Sequence, residues 1–292
     1  MLKRMSILIT MCLFVIVSAR IATAVPLDNG ISKFDLDNVG RVTGAYLSSD
    51  PTDNFLAGGE LNFGIMCEIP SITSTLWLEN LGMSLIAHGS DWATFNGSYG
   101  FGPGKSMSIG AEFKLQAGKP YMDIRYSVGT NGVDIKNARV YFYLKPAVGS
   151  SLARLITPAQ KAAWQMSQDA YNPFKSPASN WPTGDAFPDI FVAGNVAFAM
   201  KKGQDDYESG DATTIKNKMN AGLSLGDVVA QYPSNPAWGL RYPASIDILD
   251  ILNTQTFFMD ARLETAPEPS TICLMLTGLV GVVGAARRKF LR

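Results

Sequence analysis

The chain has 292 residues, 47% of them hydrophobic, with 25 basic and 25 acidic side chains and a single histidine. The balance is uneven: between Val25 and Ala266 there are 24 acidic against 18 basic side chains, a net charge of −6. An acidic body of this kind excludes the electrostatic footprint of a nucleic-acid-binding protein, and one histidine excludes the multi-histidine zinc sites.

At the N-terminus, Lys3 and Arg4 precede an apolar stretch from Ile7 to Ala19, and Ala22-Thr23-Ala24 follows. A positive region, an apolar core and small residues before the cut are the three parts of a secretory signal, so signal peptidase is expected to cleave after Ala24. A retained anchor needs about twenty apolar residues, and Arg20 interrupts the run first. Residues 1–24 are thus read as a signal peptide and residues 25–266 as an extracytoplasmic domain. Of the three cysteines, Cys12 belongs to the signal and Cys273 to the tail. Cys67 stands alone in the body, where it is expected to be a small buried hydrophobe rather than a disulfide partner.

The body reads as mainly β. Met107, Ile109, Ala111, Phe113 and Leu115 alternate with polar or small residues, as do Met122, Ile124, Tyr126 and Val128, and both runs predict half-buried strands of period two. Gly118-Lys119-Pro120 supplies a turn between them, and Asn131-Gly132 predicts a second tight turn toward Val133-Asp134-Ile135. Arg139 to Lys145 is apolar on both faces, as a central strand would be. Further strands are expected at residues 39–47, 61–67, 75–78, 84–87, 190–200, 246–249 and 256–263. Many short antiparallel strands joined by Gly-rich turns predict a β-sandwich or jelly roll.

The stretch around residues 150–243 reads as a helical and loop insertion at one end of the sandwich. Thr157-Pro158 starts a short helix over residues 159–170, a Pro-rich aromatic loop runs from Tyr171 to Gly184, and a second helix is predicted over Thr213–Asn220.

Sequence motifs for catalysis are nearly absent. His88 lies in Ala87-His88-Gly89-Ser90-Asp91, but neighbours in sequence seldom face one another as a triad, so it reads as a turn residue. A carboxylate pair of the glycosidase kind stays open, with Glu60, Glu68 and Glu112 beside predicted strands. Asp205, Asp206, Glu208 and Asp211 put four carboxylates in one short loop, which reads either as a Ca²⁺ site or as a solvated turn, and no other cofactor is expected. Trp92, Phe95, Tyr99 and Phe101 read as one glycine-rich loop, and Phe174 and Trp181 lie in the later loop. Such rings either stack on sugars or cap the core.

The C-terminus carries an address. Ala266-Pro267-Glu268-Pro269-Ser270-Thr271 leads into an apolar run to Ala286, followed by Arg287-Arg288-Lys289 and Arg292. Pro267 and Pro269 bar the preceding residues from the helical region, leaving an extended segment open to a protease. Residues 270–286 would span about 25 Å as a helix, short for a permanent anchor, and the basic cluster would stay cytoplasmic. Pro267-Glu268-Pro269, the apolar helix and the basic stop together resemble the PEP-CTERM sorting signal of Gram-negative bacteria. Ala266 replaces the more usual Val before the triplet. The resemblance implies recognition by a membrane-embedded exosortase that removes the helix, and a life at the cell surface or in an exopolysaccharide-rich biofilm matrix. The expectation is therefore an exported, non-catalytic surface or matrix protein held only transiently in the inner membrane. The alternative is a carbohydrate-binding module or a glycoside-active secreted enzyme on a sandwich fold.

Overall fold

The computed structural model describes residues 24–147, 153–155, 174, 189–200, 206–230, 235–244 and 247–265. The signal segment, the sorting tail, the helix expected over 159–170, Trp181 and Asp205 lie outside the described residues.

The first strands are β1 (Val25–Asp28), β2 (Ser32–Leu36), β3 (Val42–Leu47), β4 (Glu60–Met66) and β5 (Leu76–Trp77). There follow β6 (Ser84–His88), β7 (Trp92–Gly102), β8 (Lys105–Leu115), β9 (Tyr121–Asn131) and β10 (Ile135–Lys145). The later elements are β11 (Ala153–Leu155), β12 (Phe191–Ala193), β13 (Val196–Met200), β14 (Tyr207–Asp211), α1 (Ala212–Asn220), β15 (Val228–Val229), β16 (Pro236–Tyr242), β17 (Leu249–Ile251) and β18 (Thr256–Thr265). One sheet runs β1-β2-β3-β4-β10-β16-β14-β15, with β17 also on β10 and β5 also on β4. The other runs β11-β12-β13-β18-β9-β8-β7-β6. Pairing is antiparallel except between β14 and β15.

Alternation decides which face of each strand is dry. In β8, Met107, Ile109, Ala111, Phe113 and Leu115 are buried while Ser108 and Glu112 are exposed, as the period of two requires. The two inner faces meet through aromatic rings. Phe63 of β4 stacks on Tyr126 of β9 with centroids 4.3 Å apart and planes 9° apart, and Phe142 of β10 packs edge-on against both. The expected central strand is confirmed: β10 lies between β4 and β16, and Val140 to Leu144 are all buried.

Three sequence expectations are corrected. The turn at Asn131-Gly132 does not close a hairpin, because β9 and β10 belong to different sheets and the chain crosses between them there. Gly132 fits because a Cβ at that point would lie 2.0 Å from the Gly104 carbonyl oxygen, and its N–H donates to Asn253 Oδ1 at 2.7 Å. The stretch expected as an insertion instead supplies β11 to β13 to one sheet and β14 to β16 to the other. The aromatic glycine-rich stretch is a full-length strand, β7, and not a loop.

The outer face of β9 and β18 holds a layer of buried charge. Arg125 faces Asp260 and Asp123 faces Arg262 across the ladder. Arg125 binds Asp260 through two hydrogen bonds, Nε to Oδ1 at 2.6 Å and Nη2 to Oδ2 at 2.8 Å. Arg262 pairs with Asp123, whose other oxygen accepts from Gln116 Nε2 at 2.8 Å. Phe174 lies 4.6 Å from the Arg125 guanidinium and Tyr121 lies 4.4 Å from that of Arg262, so rings cover charges that would otherwise face solvent. Removing one member of such a pair leaves its partner charged and buried. Asp260→Asn should therefore lower stability by about 3–5 kcal/mol, read from the shift in denaturant midpoint of the purified protein.

Candidate functional site

The residues singled out in the sequence do not converge. Phe95 is fully buried and packs edge-on against Phe113, while Tyr99 and Phe101 pack against the core and each other. Only Trp92 of that group, on the opposite face of β7, is substantially exposed, at 37%. Phe174 is buried over Arg125. Of the two readings of these rings, Phe95, Tyr99 and Phe101 follow the core-capping one, because a strand sends alternate side chains inward.

The acidic loop disperses in the same way. Asp206 is buried, accepts from the Leu225 N–H at 2.6 Å and pairs with Arg241 at 2.9 Å. Burial pushes its carboxyl above the usual carboxylate range, partly offset by that N–H and by Arg241. Glu208 is held by Lys218 at 2.7 Å. Asp211 caps α1 by accepting from the Thr214 N–H at 3.0 Å, and its other oxygen takes Asn235 Nδ2 at 3.1 Å. The described carboxylates therefore serve the fold, and no group able to hold a metal ion is found among the described residues. His88 ends the exposed edge strand β6, and Asp91 pairs with Lys114 at 2.5 Å, so no triad forms there. Cys67 is buried and free, donates to the Pro70 carbonyl at 3.0 Å, and has its thiol pushed up to about 11 by burial.

The site that the fold does build lies on the outer face of the first sheet, beneath α1. Gly239 of β16 lets the helix approach, since a Cβ there would sit 2.8 Å from Ile215. The side of the helix that faces the sheet buries Ala212, Ile215 and Met219. Beside it opens a cleft of about 380 Å³ lined by Glu60 and Gly59 at the start of β4, Tyr143 and Lys145 of β10, and Thr213, Lys216, Asn217 and Asn235. Gly59 is required, because a Cβ would strike the Lys145 carbonyl at 2.0 Å.

At the heart of the cleft Lys216 Nζ lies 3.1 Å from Glu60 Oε1 and sits over two rings, 3.6 Å from the centre of Trp77 and 4.5 Å from that of Tyr143. Trp77 is fixed by a 2.7 Å hydrogen bond from its Nε1 to Asn220 Oδ1, and the Tyr143 hydroxyl donates to the Ala212 carbonyl at 3.3 Å. Arg41 holds the other Glu60 oxygen at 3.1 Å. Burial lowers the Lys216 ammonium from its ordinary value, partly offset by the charge of Glu60. The arrangement is a preorganised ammonium–carboxylate pair at a half-open cleft rimmed by amide and hydroxyl groups, suited to hydrogen-bonding a polyhydroxylated ligand and exchanging protons with it.

Sequence reasoning reached only Glu60 of this set, as one of several carboxylates near strands. Lys216 and Tyr143 carry no local signal of function. The one trace of the site is the predicted second helix, confirmed as α1.

The PEP-CTERM protein-sorting motif matches residues 265–289, so the tail is that of an exosortase substrate, which implies export and a cell-surface or extracellular location. Comparison with curated proteins gives no match. Among solved structures, a galactose mutarotase related enzyme from Lactobacillus acidophilus superposes with a TM-score of 0.46 and 9% identity over 84% of this chain and 97% of its own. A galactose mutarotase-like protein from Lactobacillus casei ATCC 334 gives 0.47 and 10% over 84% and 100%. An aldose epimerase homologue from C. elegans gives 0.48 and 6% over 84% and 99%. These neighbours bear the names of sugar-active enzymes, and with them the expectations of a non-catalytic matrix component and of no enzyme are withdrawn.

The burial difference along β7 is directly testable. Phe95→Ala should cost about 3–5 kcal/mol as a core ring, whereas Trp92→Ala on the outer face should cost only about 1 kcal/mol, both measured by chemical denaturation.

Proposed function

We propose that the protein is an exported, exosortase-processed carbohydrate-active protein that binds a sugar in the cleft beneath α1 and moves protons on it through Lys216 and Glu60. The observation that carries this reading is the Lys216–Glu60 pair at 3.1 Å in a cleft of about 380 Å³, with the lysine seated on Trp77 and Tyr143. A volume of this size takes one or two sugar rings, and Thr213, Asn217 and Asn235 are the neutral donors and acceptors that ring hydroxyls use. Lys216, its proton loosened by burial, donates to a sugar oxygen, and Glu60 holds it in place and takes the proton removed from a neighbouring hydroxyl. Such an exchange needs no cofactor and is sufficient to open and reclose a hemiacetal ring. Exopolysaccharide outside the cell is the source of the sugar.

The test uses the full chain in detergent. Saturation-transfer NMR should detect binding of a reducing sugar, and polarimetry should show faster interconversion of its anomers than in buffer. Glu60→Gln and Lys216→Met should each lower that rate by about 10²-fold while the protein stays folded, the usual worth of a positioned acid or base. A chain that binds no member of a panel of mono- and oligosaccharides would overturn the reading.

Processing is proposed at both ends: signal peptidase cuts after Ala24, and the helix over residues 270–286 is held in the inner membrane of a Gram-negative cell only until the exosortase acts near Pro267-Glu268-Pro269. Mass spectrometry of the surface-exposed protein should find a start at Val25 and no peptide from 287–292. Mature protein that still carries Arg287 to Arg292 would contradict removal of the tail.

A further inference from the structure

Three charged side chains line the cleft: Glu60, Lys145 and Lys216. Lys145 stands opposite Glu60 across the β4–β10 ladder. Both Glu60 oxygens are already taken, one by Lys216 and one by Arg41, each at 3.1 Å. The other carboxylates whose charge acts on Arg41, Lys216 or Tyr143 are Asp37, Glu79 and Asp211, and each has a hydrogen-bond partner of its own. Asp37 binds Arg41 Nε at 2.7 Å, Asp211 is held by Thr214 and Asn235, and Glu79 accepts from Asn62 at 3.0 Å. Lys145 makes no ion pair with any described residue. Among the charged side chains of the cleft, Lys145 is thus the one that no described carboxylate pairs with, in a domain whose net charge is −6.

That charge discriminates between ligands. A neutral sugar settling over Lys145 strips water from an ammonium and gives nothing of opposite sign in return, which costs binding energy. A ligand with an anionic group offsets the same loss with a charge-assisted hydrogen bond. The negative surface elsewhere opposes this only weakly, because at physiological ionic strength charges more than about 8 Å away are largely screened. We infer that the ligand of the cleft is an acidic saccharide, its carboxylate or sulfate group paired with Lys145 and its ring hydroxyls facing Thr213, Asn217 and Asn235. The inference rests on the cleft being the sugar site proposed above.

The experiment is titration calorimetry of the full chain in detergent with three hexasaccharides: a galacturonan, a neutral galactan and a sulfated galactan. One of the anionic oligomers should bind at least tenfold more tightly than the neutral one and should weaken as salt is raised. Lys145→Met should bring its affinity down to that of the neutral oligomer without moving the melting temperature. Preference for the galacturonan assigns the anion as a carboxylate, and preference for the sulfated chain assigns it as a sulfate ester; either supports the inference. Equal binding of all three, or a preference that survives Lys145→Met, overturns it and leaves the cleft as a sugar site intact. Absence of binding by all three overturns the inference, and the panel of mono- and oligosaccharides named above then decides separately whether the cleft is a sugar site.

Discussion

The stack of Phe63 on Tyr126 is the contact on which the rest of the molecule depends, because it joins the central part of one sheet to that of the other. Around it Phe142, Phe113 and Phe198 complete a dry aromatic interior. Each such pair contributes about 0.5–1.5 kcal/mol beyond the area it buries, and together the rings fix the relative position of the sheets. Among the described residues the Tyr126 hydroxyl finds no hydrogen-bond partner, and burial pushes its ionisation far up. An apolar core of this kind has no room for chemistry, so the polar groups that do more than satisfy the backbone are found on the outer faces.

The two outer faces treat charge in opposite ways. On β9 and β18 each guanidinium is matched to a carboxylate across the ladder and covered by rings, and since a slip of one residue would turn these groups into the core, the pairs fix the register of the two strands. On β4 and β10 the matching is incomplete. Glu60 serves two cations, a third stands beside it, and the space between them stays open. Closed pairs make the one face structural, and the open space on the other is where we propose that a ligand is taken up.

Much of the fold was legible in the sequence. The alternation of Met107 to Leu115 gave β8, the doubly apolar run from Arg139 to Lys145 gave the central strand, and Thr213 to Asn220 gave α1 within one residue. β7 was misread although its period of two is present in Ala93, Phe95, Tyr99 and Phe101, because Gly97, Gly100 and Gly102 among aromatic residues resemble a loop. β16 begins with a proline, which is tolerated at a strand's first residue but argues against one farther in. The cleft itself was beyond local reasoning. Glu60, Tyr143 and Lys216 come from three separate parts of the chain, and only the pairing of β4 with β10 and the seating of α1 over Gly239 bring them together. The buried arginines escaped notice for the same reason, since nothing local shows that a charge on a sheet's outer face will be covered.

The end of β18 has a bearing on how the molecule meets its processing enzyme. Thr265 is fully buried, its N–H bonded to the Pro120 carbonyl at 2.9 Å and its hydroxyl 2.5 Å from that of Ser32. The sorting motif starts at this same residue, and Pro267 follows two positions later, which even in a fully extended chain is a reach of about 7 Å. The leash between the folded body and the segment to be cut is therefore almost absent. An exosortase that cuts near the triplet thus works within a few residues of a strand fixed in the folded body.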